Sequence, residues 1–295
     1  MGELLDRAFG KKQPVETAPT MCYNEARFYG KGITPMQPDH TYVVCAYGDS
    51  PYLRECLDSL KAQTRPSALF ITTSTPSPYL EEMAREYGAE YIVRQGKSSI
   101  GADWNFGLSQ VKTPYATIAH QDDTYAPQYG EWVMEQLTAY PDSLICHTRY
   151  QEKIGHRVTA DTVNLKIKNA MSRFVNLFAP RCRWLRSRVL ALGDFVGCPS
   201  VSYHLTNLKD FTFDDSLHVT LDWDGWRRIF QRKGRICYVK QCAMTHRLHE
   251  GAETSAAIAD HSRQQEDLLM FQRFWPKPIA GFLAKRYQKS LKTKK

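Results

Sequence analysis

Between Thr41 and Ala119, short apolar runs alternate with stretches of helical periodicity. Thr41-Tyr42-Val43-Val44-Cys45-Ala46-Tyr47 is β-branched and apolar, the pattern of a buried strand. Ser50-Pro51 reads as a capped helix start, and Leu53, Cys56, Leu57 and Leu60 follow at helical spacing. Ala68-Leu69-Phe70-Ile71-Thr72 reads as a second strand. Ser77-Pro78 repeats the capping device ahead of Leu80, Met83, Ala84 and Tyr87. Glu90-Tyr91-Ile92-Val93 gives a third strand, residues 101–111 a helix, and Tyr115-Ala116-Thr117-Ile118-Ala119 a fourth strand. Elements of this length in this order require a mainly parallel, doubly wound α/β sheet flanked by helices. Ligands in such sheets sit beyond the carboxyl ends of the strands, where Tyr47, Thr73 and His120-Gln121-Asp122-Asp123 fall.

The rest of the chain is read more coarsely. A helix is expected over 127–140, a strand over 143–147, a helix from Val219 to Lys233 and a strand over 235–239. Residues 151–195 look less regular and rich in arginine. Residues 1–40, with four prolines, read as an extended lead-in, and residues 256–295 as C-terminal helices ending in a basic tail.

Composition narrows the function. The 295 residues are 42% hydrophobic and 24% charged, ordinary for a soluble globular protein. No apolar run reaches the ~18 residues of a membrane span, and the N-terminus lacks a signal-peptide pattern. None of the eight cysteines forms a Cys-x-x-Cys pair, which speaks against a zinc site and for reduced thiols in a cytoplasmic protein. The net charge of +8 is concentrated in the last residues, where Lys277, Lys285, Arg286, Lys289, Lys292, Lys294 and Lys295 stand without an acid. Positive charge admits nucleic-acid binding, but no helix-turn-helix, zinc or RNA-binding signature accompanies it.

Two acidic pairs are candidates for chemistry. Asp122-Asp123 at a strand end could hold a divalent cation, which takes a few carboxylates and shares substrate phosphates, or could cap the next helix. Asp222 and Asp224 open a helix and point to different faces, and acids there also suit the helix dipole. His246-Arg247-Leu248-His249 offers metal-binding and phosphate-binding groups, or a loop with local hydrogen bonds.

In order along the chain, these pieces resemble family 2 glycosyltransferases of the GT-A fold, a Rossmann-like sheet, over about residues 41–254. The resemblance is carried by Val43-Val44-Cys45-Ala46-Tyr47-Gly48-Asp49, by Tyr52 to Thr64 with its Ser-Leu and Gln-Thr pairs, and by Asn105-Phe106-Gly107-Leu108. His120-Gln121-Asp122-Asp123, Leu221-Asp222-Trp223-Asp224-Gly225-Trp226-Arg227-Arg228 and His246 to Gly251 complete it. It implies a catalytic domain over 41–255, with a nucleotide-sugar half over 41–147 and an acceptor half over 148–255. The activity implied is inverting transfer of a sugar from a nucleotide-sugar to a glycan or lipid-linked glycan, in envelope polysaccharide synthesis.

The resemblance implies that Asp222 is the general base. Asp122, with Asp123 and His249, would hold Mn2+ or Mg2+ and the donor diphosphate. Ala46, Tyr47, Asp49, Thr73 and Asn105 would contact the donor. Three positions depart from the family: Thr73-Ser74-Thr75 replaces its acidic base-binding segment, His120 the first Asp of Asp-x-Asp, and Trp104 an Arg. Arg94 or Lys97 could replace that Arg.

The acceptor side is expected from Gly197-Cys198-Pro199-Ser200-Val201 and residues 151–195. The tail places Ile279, Phe282, Leu283, Arg286 and Tyr287 near one helical face, either a solubilising end or a contact with the inner face of a membrane. A nucleotidyltransferase of related topology would carry a Gly-rich basic loop after the first strand. The loop here is Gly48-Asp49-Ser50-Pro51. An inactive sugar-binding relative is a further alternative.

Overall fold

The structure is a computed structural model describing residues 37–249 and 262–292. The lead-in up to residue 36, the start of the expected helix at 258 and the last three residues lie outside the described residues.

Strands β1 (His40–Ala46), β2 (Ala68–Thr73), β3 (Glu90–Val93) and β4 (Tyr115–His120) form a parallel set in the order β3-β2-β1-β4. They are connected by α1 (Leu53–Lys61), α2 (Pro78–Tyr87) and α3 (Ile100–Gln110). Ser77 caps α2 as its sequence predicts, accepting from the Leu80 N–H at 3.2 Å. Ser50 does not cap α1, whose N-cap is Tyr52. The Ser50 hydroxyl instead donates to Asp122 at 2.7 Å, because the β4 turn brings that carboxylate within reach.

The sheet continues through β5 (Thr124–Tyr125), β6 (Ser143–Ile154), β7 (Arg157–Thr159), β8 (Val201–His204) and β9 (Arg235–Leu248), giving the order β3-β2-β1-β4-β8-β6-β9-β5 with β7 on β6. β8 runs antiparallel to both β4 and β6, whereas β6 and β9 are parallel. The fold is thus α/β and GT-A-like, with its parallel order interrupted where the two halves join.

Two expectations need correction. β9 does not end near Val239. A bulge carries its register from Thr148↔Val239 to Arg149↔Cys242, and the strand runs on to Leu248. The exposed Lys240-Gln241 in the bulge breaks the apolar pattern that marks the strand in the sequence. Nor is 151–195 irregular: it holds α5 (Val163–Phe178) and α6 (Arg183–Leu190). α5 has apolar residues on both faces, with Leu165 and Val175 buried and Ile167 and Leu177 exposed, so no one-sided stripe announces it.

The core fills both sides of the sheet. Tyr42, Val44, Leu57, Ile71 and Tyr129 belong to one cluster, and Ile118, Tyr203, Phe213, Trp223 and Trp226 to the other. The second cluster packs α7 (Leu221–Phe230) against α8 (Ser262–Gln272) and α9 (Lys277–Lys292), with Trp223 5.0 Å from Phe271 and 5.5 Å from Tyr287. Tyr287 and Leu283 therefore pack against the core, not on an outer stripe of the tail, while Ile279 and Phe282 are exposed. α4 (Tyr129–Ala139) covers the other face, held by Gln63, which accepts from Gly130 N–H at 2.9 Å and donates to the Ala126 carbonyl at 2.8 Å. The Gln63-Thr64 pair noticed in the sequence is thus structural.

Asn105-Phe106-Gly107-Leu108 is a close-packing device, since a Cβ on Gly107 would stand 2.7 Å from Val43 Cγ1. Overpacking costs about 1–3 kcal/mol, and alanine returns about 1 kcal/mol of helix propensity. Gly107→Ala should lower the free energy of urea unfolding by about 1 kcal/mol. An unchanged midpoint would show that Val43 moves aside freely.

Candidate active site

The turn after β4 is held by Gln121, Ser50 and Arg247. Gln121 clamps the Tyr47 backbone, donating to its carbonyl and accepting from its N–H, both at 3.1 Å. This fixes the end of β1 against the Asp122-Asp123 turn and leaves the Tyr47 ring 64% exposed, open to stack on a flat ligand. Ser50 holds one oxygen of Asp122, and Arg247 donates to the Asp122 carbonyl at 3.0 Å while its guanidinium lies 4.3 Å from the Tyr52 ring centroid and pairs with Glu55.

The two aspartates have separate environments. The other carboxylate oxygen of Asp122 meets His249 Nε2 at 3.2 Å, and both side chains stay partly exposed. Asp123 is buried and turned to β9, accepting from the Arg247 N–H at 2.8 Å and lying 3.1 Å from His246 Nδ1. Of the expected ligands Asp122, Asp123 and His249, the structure brings Asp122 and His249 together and turns Asp123 away. Among the described residues, no three His, Cys, Asp or Glu side chains converge as a ligand set. A two-donor edge suits Mg2+ or Mn2+, which complete their coordination with water and substrate phosphate.

The departures at His120 and Trp104 meet one another. Their rings lie 5.3 Å apart, Trp104 also packs on Phe213, and burial pushes the His120 imidazole below its usual range. His120 is thus a neutral packing partner of Trp104. Arg94 does not stand in for the missing Arg: it binds Asp103 at 2.6 Å and the carbonyls of Gln95 and Lys97. Asp103 also accepts from Ser74 and Ser98, so the acid of this corner comes from α3.

The remaining donor-side candidates are placed as follows. Thr73 is buried and its hydroxyl accepts from the Thr75 N–H, shaping a hydroxyl-lined turn whose Thr75 also accepts from the Gly48 N–H. Ala46 is buried in β1, and Asp49 accepts from Ser77 at 2.6 Å. Asn105 spends its amide on both sides of the Phe213 backbone, at 2.9 and 2.7 Å, and so anchors the loop before α7.

Asp222 lies in the first turn of α7, half-buried. Burial raises its pKa against the opposing pull of the Trp223 N–H, Arg263 and Lys168. Beside it stands Asp194, also raised by burial and by the Asp222 charge, with Lys168 opposing. Two nearby carboxylates with raised pKa values and adjacent cations are the pattern of a proton-handling site. Burial pushes the Cys198 thiol up, and the charges of Asp222, Asp194 and Asp123 act in the same direction. Glu266 of α8 fixes the start of α7 by accepting from the His218, Val219 and Thr220 N–H groups, each at 2.9 Å. Asp194, Lys168 and Glu266 come from distant segments, and no local pattern marks them.

Asp224 faces the other way. It is buried and bound by Arg227, Arg228 and Arg273. A cleft of about 480 Å3 lies there, lined by these groups with Asp214 and Phe213, on the side of α7 away from Asp222.

Comparison with known proteins decides the family. Residues 41–190 match the description "Glycosyl transferase family 2". The chain belongs to glycosyltransferase family 2. An uncharacterized glycosyltransferase of Rickettsia prowazekii is 25% identical over 235 residues, covering 77% of this chain and 69% of that protein. The putative glycosyltransferase EpsH of Bacillus subtilis is 26% identical over 219 residues, 72% of this chain and 61% of that protein. Among solved structures, S. aureus TarS in complex with UDP-GlcNAc superposes with a TM-score of 0.59 at 16% identity, covering 84% of this chain and 71% of that chain. The mannosyltransferase PcManGT of Pyrobaculum calidifontis, in complex with GDP-Man and Mn2+, gives 0.55 at 14%, covering 86% and 70%. These likenesses establish the GT-A fold of this family 2 member.

The Asp224 cluster yields a stability prediction. Removing one partner of a buried ionic cluster costs about 3–5 kcal/mol. The arginines here reach solvent, so Asp224→Ala should cost about 3 kcal/mol, the low end of that range. Chemical denaturation reads this directly, and a loss below about 1 kcal/mol would mean the arginines re-pair in solvent.

Proposed function

We propose that the protein transfers a sugar, with inversion, from a nucleotide-diphosphate sugar to a hydroxyl of a glycan or lipid-linked glycan acceptor in envelope polysaccharide synthesis. The observation that carries this reading is the partly exposed Asp122–His249 edge just after β4, in a member of glycosyltransferase family 2 whose α7 opens on Asp222. The donor diphosphate binds at Asp122 and the acceptor hydroxyl at Asp222.

On this reading the exposed Tyr47 ring stacks on the nucleobase, and the Thr73-Ser74-Thr75 turn offers hydroxyls where other family members place an acid. UDP-GlcNAc and GDP-Man are ligands of the structural neighbours, and a hydroxyl-lined turn accommodates either base edge. Asp122 and His249 would hold a Mn2+ or Mg2+ ion whose charge offsets that of the leaving diphosphate. Asp222 accepts the acceptor hydroxyl proton as that oxygen bonds to the anomeric carbon and the bond to the diphosphate oxygen breaks. The electron pair leaves with the diphosphate. Direct displacement from the opposite face inverts the anomeric centre. Burial raises the proton affinity of the base, and the Trp223 N–H, Arg263 and Lys168 oppose it. The loop at Gly48-Asp49 speaks against a nucleotidyltransferase, because Asp49 is committed to Ser77 and puts negative charge where a triphosphate would lie.

Three measurements test the reading. A panel of nucleotide-sugars should raise the melting temperature in a Mn2+-dependent way, by mass action up to about 2.7 kcal/mol at a hundredfold excess over Kd. If no nucleotide or nucleotide-sugar shifts melting, with or without metal, the reading fails. Asp222→Asn should retain the donor shift and lose about 10²–10⁴-fold in turnover, whereas Asp122→Ala should lose the metal-dependent shift.

The pH dependence has a defined sign. Lys168 favours the carboxylate form of Asp222, so Lys168→Met should raise the pKa of the base and move the acidic limb of kcat/KM to higher pH. A limb that stays in place or moves to lower pH would detach Lys168 from the base.

A further inference from the structure

The outer face of α5 is apolar and exposed along its whole length. Val163, Ile167, Phe174, Leu177 and Phe178 are exposed by 76%, 54%, 41%, 66% and 67%. At 100° per residue they fall within one narrow arc of the helix, about 22 Å long. Exposed Lys166 and Arg173 lie in or beside the same arc. The stripe stands apart from the packing of the domain, which uses Leu165, Ser172 and Val175 on the opposite side. Five large apolar side chains left in water on one helix demand a partner.

Charge identifies that partner. Residues 162–193 contain no Asp or Glu. Exposed Arg183 and Arg188 of α6 flank Trp184, itself 70% exposed, and line a cleft with Ser187 and Gln231. An acid-free helix pair with apolar residues, a tryptophan and cations matches an anionic lipid interface, where apolar groups enter the acyl boundary and cations meet headgroup phosphates. A second copy fits poorly, because a two-fold contact centred on the stripe would set Lys166 of one chain near Arg173 of the other, cation against cation.

We propose that the outer face of α5, with Trp184 and the arginines of α6, docks the protein on the surface of an anionic bilayer. Among the described residues no helix is long and apolar enough to cross a membrane, so the contact is peripheral. The docking rests on surface residues and holds whether or not the reading of the site as a sugar transferase is correct. If both hold, they define the acceptor class. The inner side of α5 carries Lys168, which lies within electrostatic reach of Asp194 and Asp222. The Lys168 side of α5 is then about one helix diameter, roughly 10 Å, from the lipid surface, with Asp222 beyond it. That position favours a hydroxyl displayed on a lipid-anchored acceptor.

The test is vesicle flotation with the full chain. Vesicles of phosphatidylcholine with phosphatidylglycerol should carry the wild type, and vesicles of phosphatidylcholine alone should carry far less. The double variant Leu177→Asp/Phe178→Asp changes two exposed side chains and should bind at least tenfold more weakly with an unchanged melting temperature. Arg173→Glu should weaken binding further at low salt than at high salt. The proposal is overturned if the wild type does not float with anionic vesicles, or if the double variant floats as well as the wild type. It is also overturned if light scattering shows a wild-type dimer that the double variant loses, since the face would then be a self-association surface. Donor-induced thermal stabilisation, measured without lipid, reports separately on the catalytic reading.

Discussion

The buried carboxylate of Asp123 joins the two halves of this protein. It follows the last strand of the parallel set and is satisfied by the far end of β9, through the Arg247 N–H and His246. A carboxylate taken out of water is costly unless charge-assisted hydrogen bonds replace its hydration. Its demand therefore fixes where β9 ends relative to β4. The same contact delivers Arg247 to the Asp122 carbonyl and His249 to the Asp122 carboxylate. One aspartate is spent on assembly, and its neighbour is left partly exposed.

A second constraint acts on α7. The helix has no side-chain cap of its own at Thr220, and Glu266 of α8 supplies one from outside. Burial works against that carboxylate, but the three backbone N–H bonds outweigh it and hold its pKa below the usual glutamate range. Trp223 then locks α7 to Phe271 and Tyr287. The C-terminal helices thus set the position and proton affinity of Asp222, and the arginines around Asp224 hold the opposite side of the helix.

Legibility in the sequence followed the range of the interactions. β1 to β4 and their helices were readable to within a residue or two, because each is encoded by local periodicity and, at Ser77, by a cap that works where it stands. Ser50 carries the same cap signature and is diverted by Asp122, a contact seventy-two positions away that overrides the local preference. β9 was cut short by its bulge, and α5 was missed because a face left in water and a face in the core both carry apolar residues. His120 and Trp104 each read as a missing functional group, and only together, ring against ring, do they become a packing pair.

The sequence alone determined the alternating α/β order, the family, and the positions of Asp122 and Asp222, since these rest on local patterns in a fixed order. Tertiary structure decided which oxygens remain available. It committed Asp123, Arg94 and Asn105 to other groups, set Asp194 and Lys168 within electrostatic reach of Asp222, and left the outer face of α5 in solvent. Hydrogen-bond partnership and burial depend on segments distant in the chain, and spacing along a sequence carries no record of those distances.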